Sequence, residues 1–277
     1  MNSNNDTLHS KRDRLHRILR DMGRVLAAFS GGVDSTLLLK AAKDVLGDNV
    51  QAVTALSPTM ARRERGEAEE IAKLLAAEHL TVETDEMTLP EFVQNSPERC
   101  YVCKKRRFGG LVELARARGI PYVVDGENAD DADDFRPGTR ASRELGVRSP
   151  LREAGLSKRE VRMLSKELDL PTWNRPAYAC LASRIPYDSP ITVEKLRQVD
   201  DAEEILRRLV PGTVVRVRHY GDTARIEIEP DSMPHSVENG VRDEIVRGFK
   251  QLGFSYVTLD LEGYVMGSLN RVIDTGK

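Results

Sequence analysis

The 277-residue chain has no apolar run approaching the ~20 residues that a membrane span requires. Internal repeats and low-complexity segments are also missing. The first residues, MNSNNDTLHSKRDR, are polar and charged and lack the apolar stretch of a secretory signal. They are expected to begin disordered and to belong to a cytoplasmic protein. No charge sign dominates, since 42 Lys and Arg oppose 44 Asp and Glu for a net charge of -2. That balance argues against nucleic acid or a membrane surface as partner, leaving only a local patch to do so. Cysteine is scarce: the chain holds Cys100, Cys103 and Cys180. In a reducing compartment an odd count argues against a disulfide framework and favours metal binding or catalysis.

What is present suits a globular enzyme. The length accommodates one full α/β domain and a smaller second one. Short apolar runs at 24–29, 51–56, 80–84 and 121–126 read as strands, and helical periodicity fills 35–46, 62–80 and about 100–118. Strict strand–helix alternation implies a doubly wound parallel sheet, with ligands at the C-terminal ends of its strands. Residues 126–150 read as an active-site loop. Ser157 with Glu160 forms a capping box for a helix over 157–170, and the prolines of 171–190 exclude one regular element. Beyond Pro190 the pattern becomes helix (191–209), strands (213–220 and 223–230) around a Gly221-Asp222 hairpin, helix (238–252) and strand (256–264). We therefore expect an α/β domain over 1–190 and a small α+β domain over 191–277.

The strongest local signal is Ser30-Gly31-Gly32-Val33-Asp34-Ser35, between a strand and a helix. Glycines let a backbone approach phosphate closely, and a helix N-terminus with exposed N–H groups favours an anion. Ser30 and Ser35 add hydroxyl donors. No lysine follows the second glycine where a Walker A loop needs one. The hexapeptide resembles the SGGxDS motif of PP-loop ATP pyrophosphatases, which implies ATP bound at Ser30, Gly31, Gly32, Asp34 and Ser35.

Further stretches extend the resemblance. Asp125-Gly126-Glu127-Asn128-Ala129-Asp130-Asp131, Arg136-Pro137-Gly138, Ser149-Pro150-Leu151, the run from Trp173 through Cys180 to Tyr187, and Arg216-Val217-Arg218-His219 are similar to the LarE family over nearly the whole chain. The resemblance implies an ATP-dependent sulfur transferase that adenylates a carboxylate of a pyridinium biscarboxylate mononucleotide. Sulfur then replaces oxygen to give a thiocarboxylate on the way to a nickel-pincer cofactor. It implies Cys180 as the catalytic thiol, Arg216 and Arg218 as ligands of the substrate phosphate, and a hexameric homo-oligomer. One departure is Asp188, where the family's loop commonly has glycine after Pro-Tyr.

A carboxylate is a poor electrophile, and adenylation attaches a good leaving group. A sulfur nucleophile then attacks as the thiolate. Arg175 and Arg184 flank Cys180 in sequence and are expected to favour its ionisation. Cys100-x-x-Cys103 separates this chain from the version in which a lone cysteine gives up its own sulfur. It resembles the three-cysteine branch, in which Cys100, Cys103 and Cys180 hold a [4Fe–4S] cluster with one iron lacking a protein ligand. The same spacing alone also suits zinc, a redox pair or two incidental core thiols. The sulfide source is not legible.

Other polar residues divide less cleanly. Asp125, Asn128, Asp130 and Asp131 at a strand end suit Mg²⁺ or substrate, or turn chemistry and capping. Arg216 and Arg218 alternate on one strand face, which also fits a solvated face paired with Glu227 and Glu229. Tyr101 and Trp173 suit stacking on a pyridinium ring or core packing. The run Lys104-Lys105-Arg106-Arg107 reads as a solvated helix face. Two rival functions remain, a tRNA thiolase combining a PP-loop with cluster cysteines and a nucleotide sensor without turnover.

Overall fold

Four parallel strands build the first sheet: β1 (Val25–Ala28), β2 (Val50–Leu56), β3 (Glu78–Glu83) and β4 (Tyr122–Val124), in the order β3-β2-β1-β4. The computed structural model describes residues 3–132, 137–176 and 179–272. Its helices are α1 (Ser3–Met22), α2 (Val33–Leu46), α3 (Arg62–Leu74), α4 (Pro90–Val93), α5 (Arg99–Ala117), α6 (Pro137–Glu144), α7 (Pro150–Glu153), α8 (Lys158–Glu167), α9 (Val193–Leu209), α10 (Met233–Ser236) and α11 (Asn239–Gln251). Among the described residues no helix is long and apolar enough to cross a membrane.

Side-chain alternation along the strands explains why both sheet faces are covered. Val25, Ala27, Val50, Ala52 and Val124 join Leu15 and Leu19 of α1, Leu38 of α2 and Val161 and Leu164 of α8 in one core. Leu26, Val53 and Val123 face the other way and pack with Phe108, Leu111 and Ala115 of α5. The sheet is thus doubly wound, as the alternation predicts. From β1 the chain moves outward to β2 and β3, then returns to the other side of β1 as β4. The order reverses between β1 and β4, so the crevice at their C-terminal ends is the natural ligand position.

Some local expectations fail. The segment opening the chain is helical from Ser3, and Leu8, Leu15, Leu19 and Met22 are buried. The helix expected over 62–80 stops at Leu74, because Ala76 takes a left-handed φ of 48°. Pairing with β2 then extends strand geometry from Glu78. The presumed loop 126–150 contains α6, and α7 begins at its end. The last strand ends at Leu259, short of the expected 264.

The chain divides into two units: 1–57, 62–86 and 100–178, and then 58–61, 87–99 and 179–277. The sequence alone places the division at 190/191. In the second unit, residues 179–191 are instead bonded to the two inserted pieces. Leu181 N–H donates to the Thr59 carbonyl (2.7 Å) and Ile191 N–H to Val93 (2.9 Å). Asn95 Nδ2 donates to the carbonyls of Pro186 (2.6 Å) and Ser189 (2.9 Å). Asp188, at the family's glycine position, has φ 63°, the left-handed conformation that glycine takes most readily.

This unit carries a second sheet, β5 (Val215–Tyr220), β6 (Thr223–Ile228) and β7 (Tyr256–Leu259), in that order. β5 and β6 are antiparallel through Gly221-Asp222, with Gly221 at φ 64°, whereas β6 and β7 are parallel. Val215, Val217 and Ile226 pack against Leu206 of α9 and Ile245 and Phe249 of α11.

Candidate functional site

The phosphate loop joins β1 to α2 at the crevice where the strand order reverses. Gly31 has φ 71°, and a Cβ there would stand 3.0 Å from the Ala68 Cα, so only glycine fits without strain. Gly32 is the N-cap of α2 and supplies no side chain to cap it. The first N–H groups of α2, which a helix cannot satisfy internally, are therefore available to an anion. Ser30 and Ser35 brace the loop. Ser35 Oγ accepts from Ser30 N–H (3.3 Å), lies 3.2 Å from Ser30 Oγ and donates to the Gly32 carbonyl (3.2 Å). Arg175 supports it from behind, donating to the Gly31 carbonyl (3.3 Å) while paired with Glu67 (3.0 Å).

Asp34, on the first turn of α2, receives Asn128 Nδ2 (3.2 Å) on one oxygen and the Lys158 ammonium on the other. Lys158 is absent from the sequence-derived site. The capping box at Ser157 forms as expected and sets Lys158 as the first residue of α8. That box was the available signal for it.

Four polar residues after β4 separate into two roles. Asp131 accepts from Asn128 N–H (3.0 Å) and Asp130 from the N–H of Lys158 (2.9 Å), which is turn and capping chemistry. Asp125 is different. Its Oδ1 accepts from Ser149 Oγ (2.7 Å) and Glu127 N–H (3.2 Å), while Oδ2 is buried with no hydrogen-bond partner. Burial pushes the Asp125 carboxyl up, against the opposing pull of Lys104. A buried carboxylate oxygen without a hydrogen bond, 3.6 Å from the Lys104 ammonium and beside a phosphate loop, suits Mg²⁺, a hard cation that prefers oxygen ligands. Gly126 permits the approach, since a Cβ there would lie 3.0 Å from Ser35 N. Glu127, which the sequence reading passed over, accepts from Lys104, from Arg152 Nη1 (2.7 Å) and from Thr139 Oγ1 (3.2 Å).

Cys100 and Cys103 stand three residues apart in the first turns of α5 and so share a helix face. The basic run after them is solvated at Lys105 and Arg106, while Lys104 and Arg107 are partly buried. Lys104 reaches Glu127, Lys105 reaches Glu144 (3.4 Å), Arg106 pairs with Asp85 (2.5 Å) and Arg107 with the buried Glu86 (2.5 Å). Burial raises Glu86, but Arg107, Ser57 and Thr84 outweigh it and hold the carboxyl below its usual range. Tyr101 donates to Glu144 Oε2 (2.7 Å) and carries the Arg140 guanidinium over its ring at 4.1 Å. Trp173 is partly exposed beneath Lys166, 4.7 Å from its ring centre. Both rings thus hold cations rather than core contacts. Among the described residues no three His, Cys, Asp or Glu side chains converge as a metal site.

In the second unit Arg216 and Arg218 are buried, so that face of β5 is not solvated. Arg218 forms a bidentate pair with Glu227 (2.9 and 2.8 Å) and donates to the Ser183 carbonyl (2.8 Å). Arg216 donates to the Val215 carbonyl (2.8 Å) and lies 5.2 Å from the Tyr264 ring centre. Burial and the Arg184 charge lower the Arg216 pKa. Glu203, fully buried on α9, joins this cluster through Arg184 (2.8 and 3.0 Å) and Arg207 (2.8 Å). Burial raises its carboxyl, yet Arg184, Arg216 and Arg207 prevail and hold it low.

Cys180 is exposed and opens a single turn over Leu181–Arg184. Arg184 is committed to Glu203 and to the backbone carbonyls of Ala179 and Cys180 (3.0 Å for the latter), so it orients the peptide of this turn. Arg175 is committed to Glu67 and Gly31. The expectation that both guanidiniums serve the thiol is replaced by these partners. Arg136, Ala177 and Tyr178 of the resembling stretches lie outside the described residues.

Residues 12–168 match the asparagine synthase family. The chain is 47% identical over 266 residues to an uncharacterized protein of Synechocystis sp., covering 96% of this chain and 99% of that protein. It is 40% identical over 268 residues to the pyridinium-3,5-bisthiocarboxylic acid mononucleotide synthase of Lactiplantibacillus plantarum, covering 96% of each. A GMP synthase of Aeropyrum pernix is 32% identical over 221 residues, covering 70% of this chain and 41% of that protein.

Proposed function

Because the chain belongs to the asparagine synthase family of PP-loop proteins, and with the Lactiplantibacillus synthase to the LarE family, we propose that it is an ATP-dependent sulfur transferase acting on a pyridinium biscarboxylate mononucleotide. One observation carries the reading: a side-chain-free helix N-cap at Gly32 beside Asp34, Asn128 and Lys158, in a chain similar to that synthase along nearly its whole length.

The residues divide the chemistry. Ser30, Gly31, Gly32 and Ser35 hold phosphate oxygens through N–H and hydroxyl donors. Lys158, next to Asp34, adds positive charge where pyrophosphate departs. Asp125, with Asn128 beside it, supplies oxygen to a Mg²⁺ that arrives with ATP. A substrate carboxylate oxygen attacks the α-phosphorus, an O–P bond forms, and the bond to the β-phosphate breaks with loss of pyrophosphate. A sulfur nucleophile then attacks the carbonyl carbon, forming C–S and breaking the C–O bond to AMP. Preorganised donors aimed at developing charge supply most of such an acceleration. Arg216 and Arg218 would bind the substrate phosphate, because guanidinium N–H groups suit phosphate oxygens, with the Arg218 fork itself fixed by Glu227.

Cys180 is the sulfur-transfer residue in this reading. Thiolates are soft ligands suited to iron–sulfur clusters, and in this reading Cys100, Cys103 and Cys180 would supply the donor set for a [4Fe–4S] cluster. Such a group, when bound, supplies a replaceable sulfide. Homo-oligomerisation follows from the family resemblance and is measured by light scattering.

Anaerobically purified protein tests the reading when given ATP, Mg²⁺ and the pyridinium nucleotide. Pyrophosphate, AMP and thiocarboxylate are expected in equal amounts. Mass spectrometry afterwards separates the two sulfur sources. Intact Cys180 after many turnovers supports the cluster, and one-for-one conversion to dehydroalanine replaces it with a sacrificial thiol. Turnover of tRNA without turnover of the pyridinium nucleotide overturns the reading.

A further inference from the structure

We propose that Lys104 and Glu127 are positioning residues that couple the nucleotide edge of the first sheet to Cys100 and Cys103. This rests on the reading that those thiols take part in sulfur transfer. Lys104 directly follows Cys103 in α5, and its ammonium donates to Glu127 Oε1 and lies 3.6 Å from Asp125 Oδ2. Glu127 lies between Asp125 and Asn128, on the segment whose Gly126 abuts the phosphate loop at Ser35. One ammonium therefore joins the segment that meets nucleotide to the helix turn that carries two thiols.

The linkage is held on all sides. Gly138 of α6 lies over it: a Cβ there would stand 3.0 Å from Lys104 Cδ and 3.6 Å from the Cys100 carbonyl oxygen. The Lys104 ammonium also lies 5.4 Å from the Phe108 ring centre. Lys104 and Glu127 are largely shielded from water, with side chains 26% and 10% exposed, where a charge pair is screened less than at the surface. The neighbouring Arg106–Asp85 pair is 53% and 50% exposed and adds little. In this run it is Lys104 that reaches Asp125 and Glu127, on the segment after β4.

Glu127 keeps Arg152 and Thr139 when Lys104 is removed, so its carboxylate remains compensated and the fold survives. What is lost is the register between the thiol-bearing turn and the nucleotide edge. A displacement of about 1 Å in reacting groups costs on the order of 100-fold in rate. The Ser30–Ser35 loop, Asp34 and Lys158 keep their partners in such a variant, while Asp125 loses the ammonium 3.6 Å from Oδ2, so ATP and Mg²⁺ are held at saturation in the test.

The full chain is assayed for pyrophosphate and thiocarboxylate together. In Lys104→Met at saturating ATP and Mg²⁺, pyrophosphate release falls far less than thiocarboxylate formation. Thiocarboxylate falls about 10- to 100-fold, so pyrophosphate spent per product rises. Lys104→Arg restores most of the product, and the control Arg106→Gln moves neither quantity. A second readout needs no turnover. AMP with Mg²⁺ slows iodoacetamide alkylation of Cys100 and Cys103 in wild type, and Lys104→Met abolishes the slowing. Equal loss of both activities, or an unchanged ratio with nucleotide protection intact, overturns the proposal. If wild type makes no thiocarboxylate, the functional reading fails instead, and the alkylation arm still decides whether Lys104 couples the two places.

Discussion

The ammonium of Lys158 rests on the carboxylate of Asp34, 124 positions earlier in the chain. Asp34 lies in the first turn of α2 and Lys158 opens α8, so the pair joins the N-terminal ends of two helices. Helix N-termini favour an aspartate, and Asn128 and Lys158 add a hydrogen-bond donor and a cation beside this one.

Lys158→Ala should cut pyrophosphate release by about 100- to 1,000-fold, the loss typical of one donor aimed at developing negative charge. The Lys158 side chain is about one-third exposed, so the pair itself adds little stability and thermal unfolding should shift only slightly. Wild-type pyrophosphate release from the alanine variant would reduce Lys158 to a surface ion pair.

Gly126→Ala should weaken ATP binding while preserving the fold. The new Cβ would stand 3.0 Å from Ser35 N and 3.3 Å from the Asp34 carbonyl carbon, both backbone atoms with little freedom to move. Overpacking of this kind costs about 1–3 kcal/mol. The check is ATP affinity by calorimetry beside a denaturation curve, and unchanged affinity would mean that the loop relaxes without loss.

Arg216→Ala should raise the KM for the pyridinium nucleotide and leave ATP binding unaltered. Arg218→Ala should do the same and also destabilise the protein, because Glu227 then loses the bidentate Arg218 fork and keeps the Arg225 guanidinium (3.0 Å). Removing one member of a buried pair costs about 3–5 kcal/mol. Lysine should not rescue position 218, since an ammonium cannot make the bidentate contact. Unchanged substrate KM in the double variant would assign both arginines to structure alone.

Glu203 predicts an acid limit for the second unit. Its folded pKa lies below the unfolded value of about 4.3, so its contribution is complete above that pH. The contribution is lost as pH falls through the lower folded value. Glu203→Gln should lower stability at pH 7 and flatten the pH dependence below about 4.3. Urea midpoints measured from neutral to acid pH give the comparison, and parallel curves for the two proteins would contradict it.

The PP-loop, the alternation that demands a parallel doubly wound sheet, the Gly221-Asp222 hairpin and the Ser157 capping box are all legible in sequence. Each depends on residues within a few positions of one another, where backbone stereochemistry and side-chain periodicity act directly. Asp34, Asp125 and Asn128 are legible as candidates for the same reason. Long-range pairing is not. Nothing near Lys104 in sequence announces Glu127, nothing near Glu203 announces Arg184, and the basic run 104–107 has the same composition whether solvated or paired. Only the tertiary structure decided which carboxylate each cation meets, that residues 58–61 and 87–99 join 179–191, and that Asp130 and Asp131 serve the turn while Asp125 keeps a buried oxygen. The physical reason is that burial and opposite charge act through space, and a chain's local pattern does not specify which distant segment will supply them.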